Sequence, residues 1–298
     1  MTVKPFIKWA GGKGQLLTEI RKRYPVGLKN NIKKYCEPFV GGGAVLFDIL
    51  SNYSIEEILI NDVNNELINT YRQIIENLKE LVNELKKIEE NYIILENEER
   101  KLYYYKKRER FNYLKLNGNE KTNIEKAVLF IFLNKTCFNG LFRVNKKGNF
   151  NVPMGSYKKP LICDEENLIK ISKLLKNVKI RNGSYEECIS FIDEKTFVYI
   201  DPPYRPLTAT ASFTSYTENN FNDEEQIRLK KFIDTITSKK GKVLLSNSDP
   251  KNSNDDDNFF DDLYNKYKIE RVYAKRFINS KAGNRGDITE LLISNYKE

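Results

Sequence analysis

Residues 35 to 62, YCEPFVGGGAVLFDILSNYSIEEILIND, restrict the fold more than any other stretch. A short apolar run, YCEPFV, meets three consecutive glycines, Gly41 to Gly43. A helical pattern follows from Ala44 to Leu50, and a second apolar run, EEILIN, ends at Asp62. Strand, tight turn, helix and strand in that order make a βαβ unit, the opening of a doubly wound α/β sheet. The glycines let backbone come close to a ligand. An acid about 20 positions on, at the end of the next strand, is placed to accept hydrogen bonds from ribose hydroxyls, and Asp62 has that spacing. A dinucleotide fingerprint G-x-G-x-x-G would need glycine at 46, where Leu46 stands, so NAD fits poorly.

The sheet pattern then stops and later resumes. Apolar residues from Leu67 to Ile88 recur at helical spacing, which predicts one long amphipathic helix over 66–92. A basic region follows. From residue 161 strands and helices alternate again: NVKIRN, EKTFVYID, a helix from Asp223 to Ser238, KVLLSNS, a helix near 259–267, KIERVYAK and ITELLIS. The pattern divides the chain into an α/β part, 1–65 with 161–298, and an inserted part, 66–160. The run NSNDDDN at 252–258 reads as a mobile surface loop.

Charge singles out the insert. Residues 101–160 carry 14 Lys and Arg against 3 Asp and Glu, a net of +11, whereas the whole chain of 298 residues is +9. The excess is therefore concentrated there, interleaved with Tyr, Phe and Asn, as a nucleic-acid face requires. The chain holds no histidine, which removes the Ser/His triad and most catalytic zinc sites. Its 4 cysteines are neither paired closely enough for zinc nor dense enough for a disulfide scaffold. No metal is expected. No run approaches the roughly 18 apolar residues of a membrane span, and the start MTVKPFIKWAGGK lacks a signal-peptide core, so the expected location is the cytoplasm.

With FVYIDPPYRP at 197–206 the pattern sharpens, because Asp201 falls where a buried strand leaves the sheet. The chain resembles the Dam-type family (D12 class, alpha group) of S-adenosylmethionine-dependent DNA adenine-N6 methyltransferases. The likeness runs through FIKWAGGK, EPFVGGGAVLFD, INDVNNELI, FNGLFRVNKKGNFNVPMGSYKKP, DPPYRPLTATASFTSYT and RGDITELLISNY, in the family's order. It is nearest to members that methylate GATC, including those of restriction-modification systems. The fold it implies is a Rossmann-like methyltransferase sheet with an inserted, mainly helical DNA-recognition domain carrying a β-hairpin.

The resemblance implies roles residue by residue. Trp9, Ala10, Gly11, Lys13, Phe39, Gly41 and Gly43 are similar to the surface that binds S-adenosylmethionine, and Asp62 to its ribose acid. Ser184 and Tyr185 stand where many relatives carry Asp-Phe, the aspartate reading the cofactor's adenine. Asp201 joins both the cofactor set and the catalytic tetrapeptide Asp201, Pro202, Pro203 and Tyr204. Lys8 resembles the reader of the first guanine, with a phosphate contact as its alternative.

The chemistry explains the tetrapeptide. The adenine N6 lone pair is delocalised into the ring, so attack is helped by acceptors that make the amine more amine-like. Asp201 supplies one, and the peptide carbonyl of Pro202 a second. Tyr204 offers a flat face for a base flipped out of the duplex. In the insert, Asn139-Gly140 and Lys147-Gly148 are turn signals of a hairpin suited to the major groove. Arg143 can grip guanine, Phe138 and Asn139 are candidates for base or wedge contacts, and Leu141 and Asn145 are further DNA-binding candidates. Lys158 and Lys159 suit phosphate. The expected partners are double-stranded DNA and a cognate restriction endonuclease acting separately on the same site. Another DNA site, an RNA substrate, a protein-glutamine methyltransferase (a class that characteristically carries Asn where this chain has Asp201), a silent DNA-binding regulator and an NAD-dependent oxidoreductase remain alternatives.

Overall fold

The computed structural model describes residues 3–9, 11–205, 221–275 and 287–297. Ala10 and the segment after Arg205 lie outside the described residues. The sheet contains β1 (Lys34–Glu37), β2 (Glu57–Asp62), β3 (Val178–Asn182), β4 (Thr196–Ile200), β5 (Lys242–Ser248), β6 (Lys268–Lys275) and β7 (Asp287–Ser294). Their order is β3-β2-β1-β4-β5-β7-β6. β1 pairs in parallel with β2 and β4, with Cys36 opposite both Leu59 and Val198. β7 is antiparallel to β5 and β6. The chain leaves β1 toward one side and β4 toward the other, so the switch point of the sheet lies between them.

Both faces of the sheet are covered, as its continuous apolar strands require. Tyr35 and Phe197 face one cluster with Phe47, Tyr71 and Leu168, whereas Cys36 and Val198 face another with Leu229, Phe232, Phe260 and Tyr264. α2 (Ala44–Asn52), α3 (Asn65–Glu76) and α7 (Glu165–Leu175) contribute to the first, and α8 (Asp223–Ser238) to the second. α1 (Leu17–Arg21) and α9 (Phe259–Leu263) are short.

The insert is mainly helical, with α4 (Leu78–Ile93), α5 (Asn97–Asn117) and α6 (Asn123–Thr136). α6 is buried continuously from Ala127 to Asn134 and packs against α3, α4 and α5. Such an all-round apolar helix is the axle of its unit. Tyr104, Phe111, Phe130 and Phe142 of the insert belong to the same cluster as Tyr35 and Phe197, so the insert and the sheet share one core.

Three expectations change. The helix over 66–92 is two helices, broken at Asn77 (φ −132°, ψ 35°), whose side-chain amide bonds to Gln73 Oε1 at 2.9 Å. Asparagine competes locally for backbone geometry, and an apolar period alone does not register that. The helix near 259–267 stops at Leu263. NSNDDDN is tied down rather than loose: Asp257 pairs with Arg205 at 2.6 Å, and the Asn252 amide donates to the Thr289 carbonyl at 2.7 Å.

Candidate active site

The glycine turn leaves β1 through Glu37, Pro38, Phe39 and Val40. Gly41 (φ 47°) and Gly43 (φ 76°) adopt left-handed backbone, and a Cβ on Gly43 would lie 2.6 Å from the Tyr71 hydroxyl. Asp62, at the end of β2, holds the turn. Its Oδ2 accepts the Gly41 N–H at 3.0 Å and its Oδ1 the Asn64 N–H at 2.9 Å. Burial pushes this carboxyl up, and the backbone donors at Asn64, Gly41 and Val63 oppose the rise. Asn61 ties the neighbouring strand ends together, donating to the carbonyls of Pro38 at 3.0 Å and Gly183 at 3.1 Å.

Aromatic surfaces flank the turn. Trp9 lies directly on it, since a Cβ on Gly41 would sit 2.8 Å from the indole. Trp9 also stacks on Phe142, with centroids 5.7 Å apart and planes 22° apart. Gly11, with φ 74°, is exposed beside it. Phe39 is half-buried, 5.1 Å from the buried ring of Tyr185. Ser184 caps the turn that carries Tyr185: its Oγ accepts the Glu186 N–H, and its own N–H goes to Glu187. These residues fit an adenosyl group, offering side-chain-free backbone, an acid at a strand end and a flat aromatic face.

Asp201 emerges from β4 beside that turn. Lys13, only 3% exposed, places its ammonium 3.0 Å from Asp201 Oδ1 and 3.3 Å from Glu290 Oε2, and donates to the Tyr204 hydroxyl. Tyr204 donates in turn to Glu290 Oε2 at 2.9 Å. Burial pushes Asp201 up to about 6; Lys13 pulls it down, while Glu290 adds to the rise. Burial opposes the Lys13 charge, yet the carboxylates and Tyr199 outweigh it and hold the ammonium above its ordinary range. The Pro203 carbonyl accepts from Gln226 of α8 at 3.4 Å. Arg205 anchors the exit through Asp223 and Asp257.

The basic segment folds as the hairpin expected, though it pairs through single bridges, Cys137 with Met154 and Val144 with Phe150, rather than a ladder. α5 holds its second leg: the Asn112 amide both donates to the Phe150 carbonyl at 3.0 Å and accepts its N–H at 2.8 Å. Arg143 Nε donates to Asn151 Oδ1 at 2.8 Å, which fixes the plane of the guanidinium. Asn145 Oδ1 accepts the N–H groups of Lys147 and Asn149, building the hairpin tip. Phe138 is 52% exposed, Asn139 is exposed with φ 56°, and Leu141 is half-buried.

Asn134, buried on α6, brings Lys8 to this turn by bonding both the N–H and the carbonyl of Lys8 and the carbonyl of Gly140. Lys8 thus joins Phe138 and Asn139, while Lys158 and Lys159 stand exposed where Arg100 of α5 meets the Lys158 carbonyl. Sequence reasoning missed Glu290, Gln226, Asn134, Asn112 and Asn61. For Glu290, Asn134 and Asn61 the signal is a polar side chain inside an apolar run, as in ITELLIS and IFLNKT, but it names no partner; Gln226 and Asn112 lie in charged stretches that single neither out. Among the described residues no three His, Cys, Asp or Glu side chains gather to hold a metal, and no helix is long and apolar enough to cross a membrane.

Comparison with known proteins agrees with this geometry. The family model described as D12 class N6 adenine-specific DNA methyltransferase matches residues 9–278. The chain is 50% identical to the Type II methyltransferase M.MjaIII of Methanocaldococcus jannaschii, over 99% of this chain and 100% of that one. It is 36% identical to the Type II methyltransferase M1.LlaDCHI of Lactococcus lactis subsp. cremoris, over 99% and 96%. With the DNA adenine methylase of Escherichia coli it shares 33% identity, over 97% and 94%.

Proposed function

The chain belongs to the D12 class N6 adenine-specific DNA methyltransferases, and from that premise we propose that it methylates an adenine flipped from double-stranded DNA, within GATC, using S-adenosylmethionine. The observation that carries the reading is the meeting of the glycine turn and Asp201 at the ends of adjacent strands β1 and β4. Trp9, Ala10, Gly11, Lys13, Phe39, Gly41, Gly43, Asp62, Ser184 and Tyr185 would hold the cofactor. When bound, it supplies an electrophilic methyl group on a sulfonium. Asp62 keeps acceptor capacity for hydroxyls, because each carboxylate oxygen takes more than one donor.

The chain's own groups handle the amine. Asp201, ionised above about pH 6, accepts one N6 hydrogen bond alongside that from Lys13, and the Pro202 carbonyl accepts the other. Tyr204 presents its ring to the extruded base, offsetting part of the unstacking cost. Held in line, the amine needs positioning and a preorganised field.

Recognition is assigned to 66–160 and catalysis to 1–65 with 161–298, α3 forming the seam. Arg143 reads guanine, with Lys8, Phe138, Asn139, Leu141 and Asn145 around it; Lys158 and Lys159 meet phosphate. Two relatives are named Type II methyltransferases, which supports a separate endonuclease acting on the same site, in the cytoplasm where chromosomal DNA lies. Methylation of plasmid DNA followed by mapping of modified adenines tests the reading. Modification confined to GATC supports it, and unmodified adenines would refute it.

A further inference from the structure

Glu290 lies at the active site although its segment, RGDITELLISNY, contributed no catalytic residue to the sequence reading. It sits on β7, opposite Ser248 of β5 and Val272 of β6, and is followed by the buried Leu291 and Leu292. Its side chain is 14% exposed. A carboxylate so enclosed needs strong partners. It has two, the Tyr204 hydroxyl at 2.9 Å and the Lys13 ammonium at 3.3 Å, both on Oε2. The three N–H groups of Lys13 are matched by Asp201, Glu290 and the Tyr204 hydroxyl, which closes the network.

We propose that Glu290 is a positioning residue for adenine methylation, fixing the Tyr204 ring from its hydroxyl end and so setting the face on which the flipped base rests. The inference rests on the reading given above, in which Tyr204 stacks the target. A tyrosine held at its tip by two charged partners keeps one ring orientation, whereas one held only by its backbone swings about its side-chain torsions. The backbone end is separately secured, through Gln226 on the Pro203 carbonyl and Arg205 on Asp223 and Asp257. Glu290 also adds negative charge beside Asp201, which is faced as well by Lys13, Tyr204, Tyr199 and Glu37.

The test compares wild type with Glu290→Gln, Glu290→Ala and Tyr204→Phe in single-turnover methylation of a GATC duplex across pH. Glu290→Ala and Tyr204→Phe are expected to lower the rate about ten- to a hundredfold, as misplacement does. Glu290→Gln, which still offers an acceptor, falls between them and wild type. The double variant Glu290→Ala/Tyr204→Phe should lose no more than the worse single, because both changes release the same ring. Removing the Glu290 charge lets Asp201 ionise more readily, so the acid limb for Glu290→Gln moves to lower pH, which a purely structural role would not produce. Glu290→Gln and Tyr204→Phe preserve volume and carry the test should the alanine variant fail to fold. Wild-type rates and an unmoved acid limb in Glu290→Gln, or multiplicative losses in the double variant, overturn the proposal. A wild type that leaves adenine unmodified removes the underlying reading and the proposal with it.

Discussion

Replacing Lys13 by Met should destabilise the protein at neutral pH far more than at acidic pH. The ammonium is 3% exposed and lies 3.0 Å from Asp201 and 3.3 Å from Glu290. At an effective dielectric near 20, each contact is worth about 5 kcal/mol of Coulomb attraction. Desolvation offsets much of this, and breaking a buried pair by removing one partner typically costs about 3 to 5 kcal/mol. Methionine keeps the volume but leaves two carboxylates facing each other in a site that already pushes Asp201 from 3.8 up to about 6. For an acid with a raised folded pKa, the penalty is absent below the unfolded value and grows as pH rises through the folded one. Without Lys13 that value climbs further. Thermal unfolding should therefore show a deficit on the order of 10 °C near pH 8, shrinking near pH 5, where Asp201 protonates. An equal deficit at both pH values, or none near pH 8, would refute the electrostatic account of this site.

Other perturbations separate the insert from the chemistry. Arg143→Ala should lose about 1 to 3 kcal/mol of discrimination at one base pair, whereas Lys159→Ala should weaken all sequences alike and lower the salt slope by about 1; methylation of GATC and its single-base variants across salt concentrations distinguishes them, and the opposite pattern reverses the assignment. Asn112→Leu removes both bonds to Phe150, so about 1 to 3 kcal/mol of stability should be lost, with site discrimination falling while transfer to the correct site survives; unchanged discrimination would show that α5 does not position the hairpin. Turnover should survive exhaustive chelation by EDTA, and loss restored only by zinc or magnesium would reveal an unrecognised metal site.

The sequence made the framework legible where local pattern and tertiary role coincide. The strand before the glycines, the helix from Ala44, the acid at 62 and the strand into Asp201 all stand where period and turn chemistry place them. The basic excess in the insert likewise marked the segment that carries the hairpin. What stayed hidden depends on side chains meeting across long separations. Glu290 is 86 residues from Tyr204, and Asn134 is 126 from Lys8. Nothing in either neighbourhood names the partner. Asn77 breaks a helix through one local competition that the apolar period from Leu67 to Ile88 outweighs on paper. Trp9 illustrates the same limit: the motif marked it for the cofactor, but only the fold shows it stacked on Phe142, linking the glycine turn to the hairpin base.

The central claim is that Asp201 handles the amine being methylated, and one pair of measurements on a single variant tests it most directly. Asp201→Ala is assayed for tritiated methyl transfer to a GATC duplex and, separately, for S-adenosylmethionine binding by calorimetry. The account predicts that transfer is abolished while binding persists at least in part, because the glycine turn, Asp62 and Phe39 are left in place. Near wild-type transfer by the variant would contradict it.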